Sequence, residues 1–411
     1  MSSFSLRRIL GSGGRWLRDG WLIVGVTVLL VLLLETCYRG QGNLRRRLSG
    51  ARSSDAAPRP SAPFDTTAWA AQYHRDHRRE EEVLWKPFVY VRNPTFRGMH
   101  MSVDSLGWRI TPQDPPDARP VVRVFFMGGS TTFGWYQRDS FTIAATAGRR
   151  LQQTAGSRAR IEVTNFGVPG HTFTQEMLEL LFQLRDGARP DVVVFYDGIN
   201  DVMATVQNRR AGLPQNEANR IEDFNRGRML AAERSPGIRT DVTVARRLFG
   251  EAGKRLELVQ RVVAAKAVPP RERRSSDSLA REIALTFAAN ARLIEALAQR
   301  YGFQPLYVWQ PALLTMRKPL TAYERWLLGP SQIKDVHGIV PTYIGAAMKP
   351  VVGNRFIDAT DLFLNDSTEI YADVYGHTYE RANPRIVDTL MTVLDPAVRA
   401  AVLRRSQPPR R

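Results

Sequence analysis

From residue 121 onward the chain alternates two hydrophobic rhythms. Val121 to Met127 is a nearly continuous apolar run of β-formers, the pattern of a strand buried on both faces. Residues 160–170 (RIEVTNFGVPG), 191–198 (DVVVFYDG), 304–311 (QPLYVWQP) and the shorter 354–360 (NRFIDAT) read the same way. Between these runs the spacing becomes helical. In 173–186, Met177, Leu180, Leu181 and Leu184 share one face, residues 284–302 form a helix stopped by Gly302, and 383–395 reads as a closing helix. Strands alternating with helices predict an α/β fold, a parallel sheet covered on both faces. Two segments, about 202–280 and 312–350, break the rhythm and read as insertions. Each follows a strand end, on the side where open α/β sheets build their sites.

The N-terminal region has a different texture. Trp21 to Leu34 carries no charge, and with Gly20 and Tyr38 as limits the stretch comes close to the roughly 20 residues that span a bilayer as a helix. No small-residue cleavage pattern follows it, which favours an uncleaved anchor over a signal peptide. The chain therefore divides into a tail (1–19), a transmembrane anchor (20–38), a linker rich in Arg, Ser, Ala and Pro (39–66) and a domain (67–411) whose order begins near Trp69. Arginines stand on both sides of the span, Arg7, Arg8, Arg15 and Arg18 before it and Arg39, Arg45, Arg46, Arg47 and Arg52 after it, so charge alone does not orient it. The short tail and large following domain lead us to expect the domain outside the cytoplasm, in a periplasm-like compartment.

The formal net charge of +18 admits nucleic acid, an anionic membrane surface, an acidic polymer or plain compositional bias. There is no zinc-type cysteine spacing and no aromatic-basic RNA motif, so nucleic acid is not an expected partner. Cys37 is the single cysteine and has no internal disulfide partner. The residues before it, Leu34-Glu35-Thr36, do not suit lipoprotein cleavage. His74 and His77 lie in a charged helical stretch, and His100 and His337 in loops. No set of ligands converges on a metal, and neither metal nor organic cofactor is expected.

The chemistry gathers at strand ends. Gly128 and Gly129 close the first strand and would leave Ser130 exposed on a tight turn, where a serine is either a helix cap or a nucleophile. Asn165 and Gly167 end the second strand, Asn200 follows the third, and Asp373 and His377 stand near the C-terminus. Nucleophilic catalysis needs a hydroxyl, a base, a group that orients the base and donors for the developing oxyanion. Ser130, His377 and Asp373 suit the first three roles. The amides of Ser130 and Gly167 and the side chain of Asn200 suit the fourth. Gly129, Asn165, His171 and Gln310 are candidates for lining the pocket.

Taken in order, "FMGGSTTFG", "NFGVPG", "GIND" and "ADVYGHT" followed by Asn383 resemble the four sequence blocks of the SGNH (GDSL-type) hydrolase superfamily, over about Val121 to Ile386. The resemblance implies a three-layer α/β/α sandwich of about five parallel strands, similar to flavodoxin-like proteins. It makes Ser130 the nucleophile, Gly167 and Asn200 oxyanion donors, and Asp373 and His377 the remaining pair. It also implies an esterase acting on an acylated carbohydrate, a lipid or a small ester. Two departures stand out. Gly129 replaces an Asp that often precedes the serine. Three residues separate Asp373 from His377 where two are usual, so either the loop bulges, or Asp361 or Asp366 takes the orienting role, or a backbone carbonyl does. An O-acyltransferase of an envelope glycan and a non-catalytic tethered binding protein are the rival functions.

Overall fold

The computed structural model describes residues 63–80, 83–221, 223, 224, 274–315, 317–329 and 331–406, with isolated positions between 25 and 36. The tail, nearly all of the 20–38 span, the linker up to residue 62 and residues 225–273 of the first insertion lie outside the described residues. Among the described residues no helix is long and apolar enough to cross a membrane. The chain divides into two units, one of residues 1–58 with 218–270 and one of residues 59–217 with 271–411. All that follows concerns the second.

Two small antiparallel pairs come first, β1 (Leu84–Lys86) with β2 (Tyr90–Arg92), and β3 (Phe96–Arg97) with β4 (Ser102–Val103). The main sheet has five parallel strands in the order β6-β5-β7-β8-β9: β5 is Val121–Gly128, β6 Arg160–Gly167, β7 Val192–Asp197, β8 Gln304–Trp309 and β9 Phe356–Asp358. Side chains alternate along β5 as the period of a strand requires. Phe125 and Met127 join a core with Phe173, Phe195, Phe287 and Tyr307 on one face, under the helices Phe173–Arg185 and Ser276–Tyr301. Val122, Val124 and Phe126 join Leu151, Val194, Leu306 and Leu390 on the other, under Ile143–Ala155 and Asn383–Ser406. The architecture is thus a three-layer α/β/α sandwich.

Several boundaries differ from the sequence reading. Pro63–Thr66 forms a 3-10 turn with Phe64 only 3% exposed, so order begins inside the stretch assigned to the linker. Phe64 is an isolated apolar residue there, without a period to betray it. The second long helix starts at Ser276, not 284, because Ser275 caps it by accepting from the Ser278 amide at 3.1 Å. The segment 312–350 is largely helical, with helices Ala322–Leu327, Gln332–Ile339 and Pro341–Val352. His337, read as a loop residue, is a fully buried residue of the middle one, and burial lowers its pKa to about 4.

Candidate active site

β5 ends at Gly128, and Ser130 opens a four-residue helix, Ser130–Phe133, with Gly129 as its cap. First-turn amides of a helix have no intrahelical acceptor, and among the described residues the Ser130 amide donates to none. Its hydroxyl has a definite partner. Ser130 Oγ and His377 Nε2 are 2.6 Å apart, and His377 Nδ1 and Asp373 Oδ2 are also 2.6 Å apart. An ionised carboxylate only accepts, so Nδ1 carries the imidazole proton and donates it to Asp373. Nε2 is then the acceptor for the serine hydroxyl. His377 is 1% and Ser130 6% exposed, which shields this line of hydrogen bonds from water.

The three-residue spacing is accommodated by a hairpin. Residues 370–372 and 377–379 face each other: Ala372 N donates to His377 O at 2.8 Å, and Tyr379 N to Ile370 O at 3.0 Å. Asp373 sits at the turn, where Oδ1 accepts from the Tyr375 amide at 2.9 Å and Oδ2 is left for the imidazole. Gly376 takes φ +82°, the left-handed conformation that absorbs the additional residue. Asp361 and Asp366 do not substitute. The first lies 3.7 Å from Arg317, and the second pairs with Arg385 and Thr368. The rings of Trp135 and Tyr136 stand 4.7 and 5.9 Å from His377, centroid to centroid.

Asn200 enters from the end of β7, in the first turn of the helix Ile199–Asn208. Its Nδ2 donates to His171 O at 2.8 Å, and its Oδ1 accepts from Gln215 Nε2 at 3.0 Å. Those contacts fix which end of the amide faces the serine turn. Nδ2 packs so close to Gly129 that a Cβ there would lie 2.0 Å from it, so Gly129 lines the site by leaving room for Asn200. Gln215 carries no signal in the sequence. It lies in a segment without periodicity, and only the folded chain brings it to Asn200.

Four candidates occupy other positions than expected. The Gly167 amide already donates to Asn165 Oδ1 at 2.9 Å and is not an oxyanion donor. Gly170, three residues on, has φ +80°, lies against Gln215, and its amide has no acceptor among the described residues. Asn165 is fully buried as a latch, with Nδ2 donating to Thr132 O at 2.8 Å. His171 contributes its carbonyl, not its ring. The imidazole is 1% exposed, its Nε2 donates to Val91 O at 3.2 Å, and burial, reinforced by the Arg92 charge, lowers its pKa to about 3. Gln310 lies beneath the site, 2% exposed, with Oε1 accepting from Thr131 Oγ1 at 3.2 Å.

Behind Asn200 is a group of acids not anticipated from the sequence. Glu176, Asp197 and Asp201 are all buried. Burial, with the charge of Asp197, drives Glu176 well above the usual carboxylate range. Burial likewise raises Asp197, and it raises Asp201 to about 7. Among the described residues no group of three or more His, Cys, Asp or Glu is arranged to hold a metal ion.

The GDSL-like Lipase/Acylhydrolase family matches residues 126–329. No curated protein matches the chain. Similar solved structures include a carbohydrate acetylesterase family member from Sinorhizobium meliloti (15% identity, covering 68% of this chain and 99% of that one, TM-score 0.35). A lipase/acylhydrolase from Enterococcus faecalis gives 14% identity, 67% and 96% coverage and a TM-score of 0.33. A catalytic mutant of an acetylxylan esterase from Geobacillus stearothermophilus gives 12%, 66% and 93%, and 0.34.

Proposed function

We propose that the chain, an ester hydrolase, works as a serine esterase, through an acyl-serine intermediate, on acyl groups of an envelope carbohydrate or lipid, a reading supported by the match of residues 126–329 to the GDSL-like Lipase/Acylhydrolase family. The observation that carries the mechanism is the Asp373–His377–Ser130 line of two 2.6 Å hydrogen bonds. As the Ser130 oxygen bonds to the ester carbonyl carbon, its proton passes to His377 Nε2, and Asp373 steadies the imidazolium. The negative charge moves to the carbonyl oxygen. The Ser130 and Gly170 amides and the remaining N–H of Asn200 Nδ2 are the donors that receive it. When the carbon–oxygen bond to the alcohol breaks, Nε2 returns the proton to the leaving oxygen. Water, giving a proton to the same nitrogen, then attacks the acyl carbon, and as the bond from that carbon to the Ser130 oxygen breaks Nε2 passes the proton to that oxygen, releasing the acid and restoring the serine.

In this reading residues 20–38 anchor the chain and residues 39–411 lie outside the cytoplasm, where acylated glycans and lipids of the envelope are within reach. The uncharged stretch Trp21–Leu34 and the short tail before it support that topology. The chemistry is tested by fluorophosphonate labelling. The wild-type protein takes the label at Ser130 and Ser130→Ala does not, and hydrolysis of acetylated sugars against longer-chain esters then sorts the substrates. An unlabelled wild-type protein overturns the reading. The topology is tested by a C-terminal alkaline phosphatase fusion, which is active when the domain is exported and inactive when it stays in the cytoplasm.

A further inference from the structure

His377 and Asp373 stand on a hairpin that has almost no sheet of its own. Its arms are joined by the bridge between Tyr371 and Thr378 and the few backbone bonds given above. A hairpin of this size is marginal in water unless something holds it. The arm that leads into Asp373 is gripped, residue after residue, by side chains from one short stretch of the second insertion. Glu324, fully buried, accepts on Oε1 from the amides of Ile370 (3.0 Å) and Tyr371 (3.3 Å). Tyr323, 3% exposed, donates its hydroxyl to Ala372 O at 2.9 Å. Thr321 donates to Glu369 Oε2 at 3.2 Å. The Glu324 carboxylate is neutralised in turn by Lys318 Nζ at 2.5 Å, with side-chain exposures of 0% and 3%. The contacts end at Ala372, the residue before Asp373, and Ala372 is also the residue whose amide holds His377 O.

We propose that Lys318, Thr321, Tyr323 and Glu324 form a clamp that sets the distance between Asp373 and His377, with Tyr323 and Glu324 as positioning residues for the base. The proposal rests on the reading of His377 as the base of an esterase. A carboxylate suits the task because one oxygen holds two successive amides, fixing the direction of the arm as well as its place. Burying that charge without a partner would be costly, and Lys318 removes the cost. Tyr323 adds the last point of attachment, one peptide from the carboxylate that orients the imidazole. The pitch of 2.6 Å hydrogen bonds through Asp373, His377 and Ser130 thus depends on residues that touch none of the reacting atoms.

The experiment compares the wild-type protein with Tyr323→Phe, which keeps the ring and deletes the hydroxyl. Two quantities are read: the downfield proton resonance of His377 Nδ1–H, and kcat and KM for p-nitrophenyl acetate per folded molecule. The expected result is a resonance moved upfield or broadened, with kcat lowered about five- to ten-fold, the scale of one neutral hydrogen bond, and KM within a factor of two. A resonance and a kcat both at wild-type values overturn the clamp. A second pair guards against a folding defect. Lys318→Met with Glu324→Ala removes the acceptor for the two amides, and Lys318→Met with Glu324→Gln keeps one. The clamp requires the resonance to be lost in the first and restored in the second, and equal behaviour of the two overturns it. A wild-type protein that hydrolyses no ester overturns the esterase reading alone, because the Nδ1–H resonance still decides the clamp.

Discussion

The two halves of the site are held in place by different means. Ser130 and Asn200 stand two and three residues beyond β-strands of a five-stranded sheet, after Gly129 and Gly198, and the ladder of β5 with β6 and β7 fixes them. His377 and Asp373 stand on a hairpin held from outside. One arm is gripped by the clamp at 318–324. The other is gripped by Gln137 Nε2, which donates to Thr378 O at 3.0 Å, and by Arg138, paired with Glu380 at 2.8 Å. Backbone hydrogen bonds in a sheet are cooperative and indifferent to most side chains. The hairpin depends on a few particular side chains, each with a distant partner. The nucleophile half should therefore tolerate change around it, and the base half should not.

The comparison can be broken first at its reacting atoms. Ser130→Ala and His377→Ala should each lower kcat by roughly 10⁵–10⁶-fold, since groups that act as a unit fail as a unit. Circular dichroism should show both folds intact, and activity within a factor of two of wild type would remove that residue from the mechanism. Asp373→Asn should cost roughly 10³–10⁴-fold in kcat, because an amide favours the wrong imidazole tautomer. If Asp373→Asn left kcat unchanged, the orienting carboxylate would be dispensable and the contrast between the halves would rest on His377 alone. Asn200→Ala should cost roughly 10²–10³-fold in kcat with little change in KM, the loss of one oxyanion donor. A change confined to KM would make Asn200 a substrate-binding group.

The smallest effect sharpens the nucleophile half alone. Asp201, next to Asn200, has a folded pKa raised by burial to about 7. A raised pKa means the fold holds the proton more tightly than the unfolded chain does. Its contribution is fully present below the usual carboxylate range near 4, and it is lost as pH rises through about 7. Thermal unfolding of wild type and Asp201→Asn, compared at pH 5 and pH 8, should show a smaller drop in the variant, by about a few degrees. Asn keeps an oxygen for the Phe173 amide that Asp201 now caps at 3.3 Å. Identical drops in the two proteins would mean that Asp201 does not carry the buried proton.

The same contrast explains what could be read in the sequence. β5 to β8 and their helices announce themselves by period, and the serine turn by two glycines after an apolar run. Asp373 and His377 were legible as chemistry and not as geometry, because the loop that joins them obeys no period. Gly167 reads as a donor in the sequence because it ends a strand. The Asn165 side chain that occupies its amide is only two residues away, but it is held there by its other bond, to Thr132 O, 33 residues away. Gln215, Tyr323 and Glu324 were invisible for a related reason. Their partners lie 15 to 49 residues away in the chain, and nothing local marks either end. The buried acids Glu176, Asp197 and Asp201 read as ordinary polar positions of helices and strand ends until the second face of the sheet covers them.

One feature at the edge of the domain bears on how the enzyme meets its substrate. Phe64, where the chain reaches the folded part, lies against the ring of Tyr136 at 5.4 Å, and Tyr136 is the neighbour of His377. Tyr73, in the helix Ala70–Glu80, fastens the same place, its hydroxyl oxygen accepting from the Tyr136 amide at 2.6 Å. On the topology proposed above, residues 39–62 would be a leash to the bilayer, joining the domain two aromatic rings from the chemistry. Leash length would then act as a ruler: shortening it should restrict attack to esters lying close to the membrane, and lengthening it should admit esters farther out in the envelope.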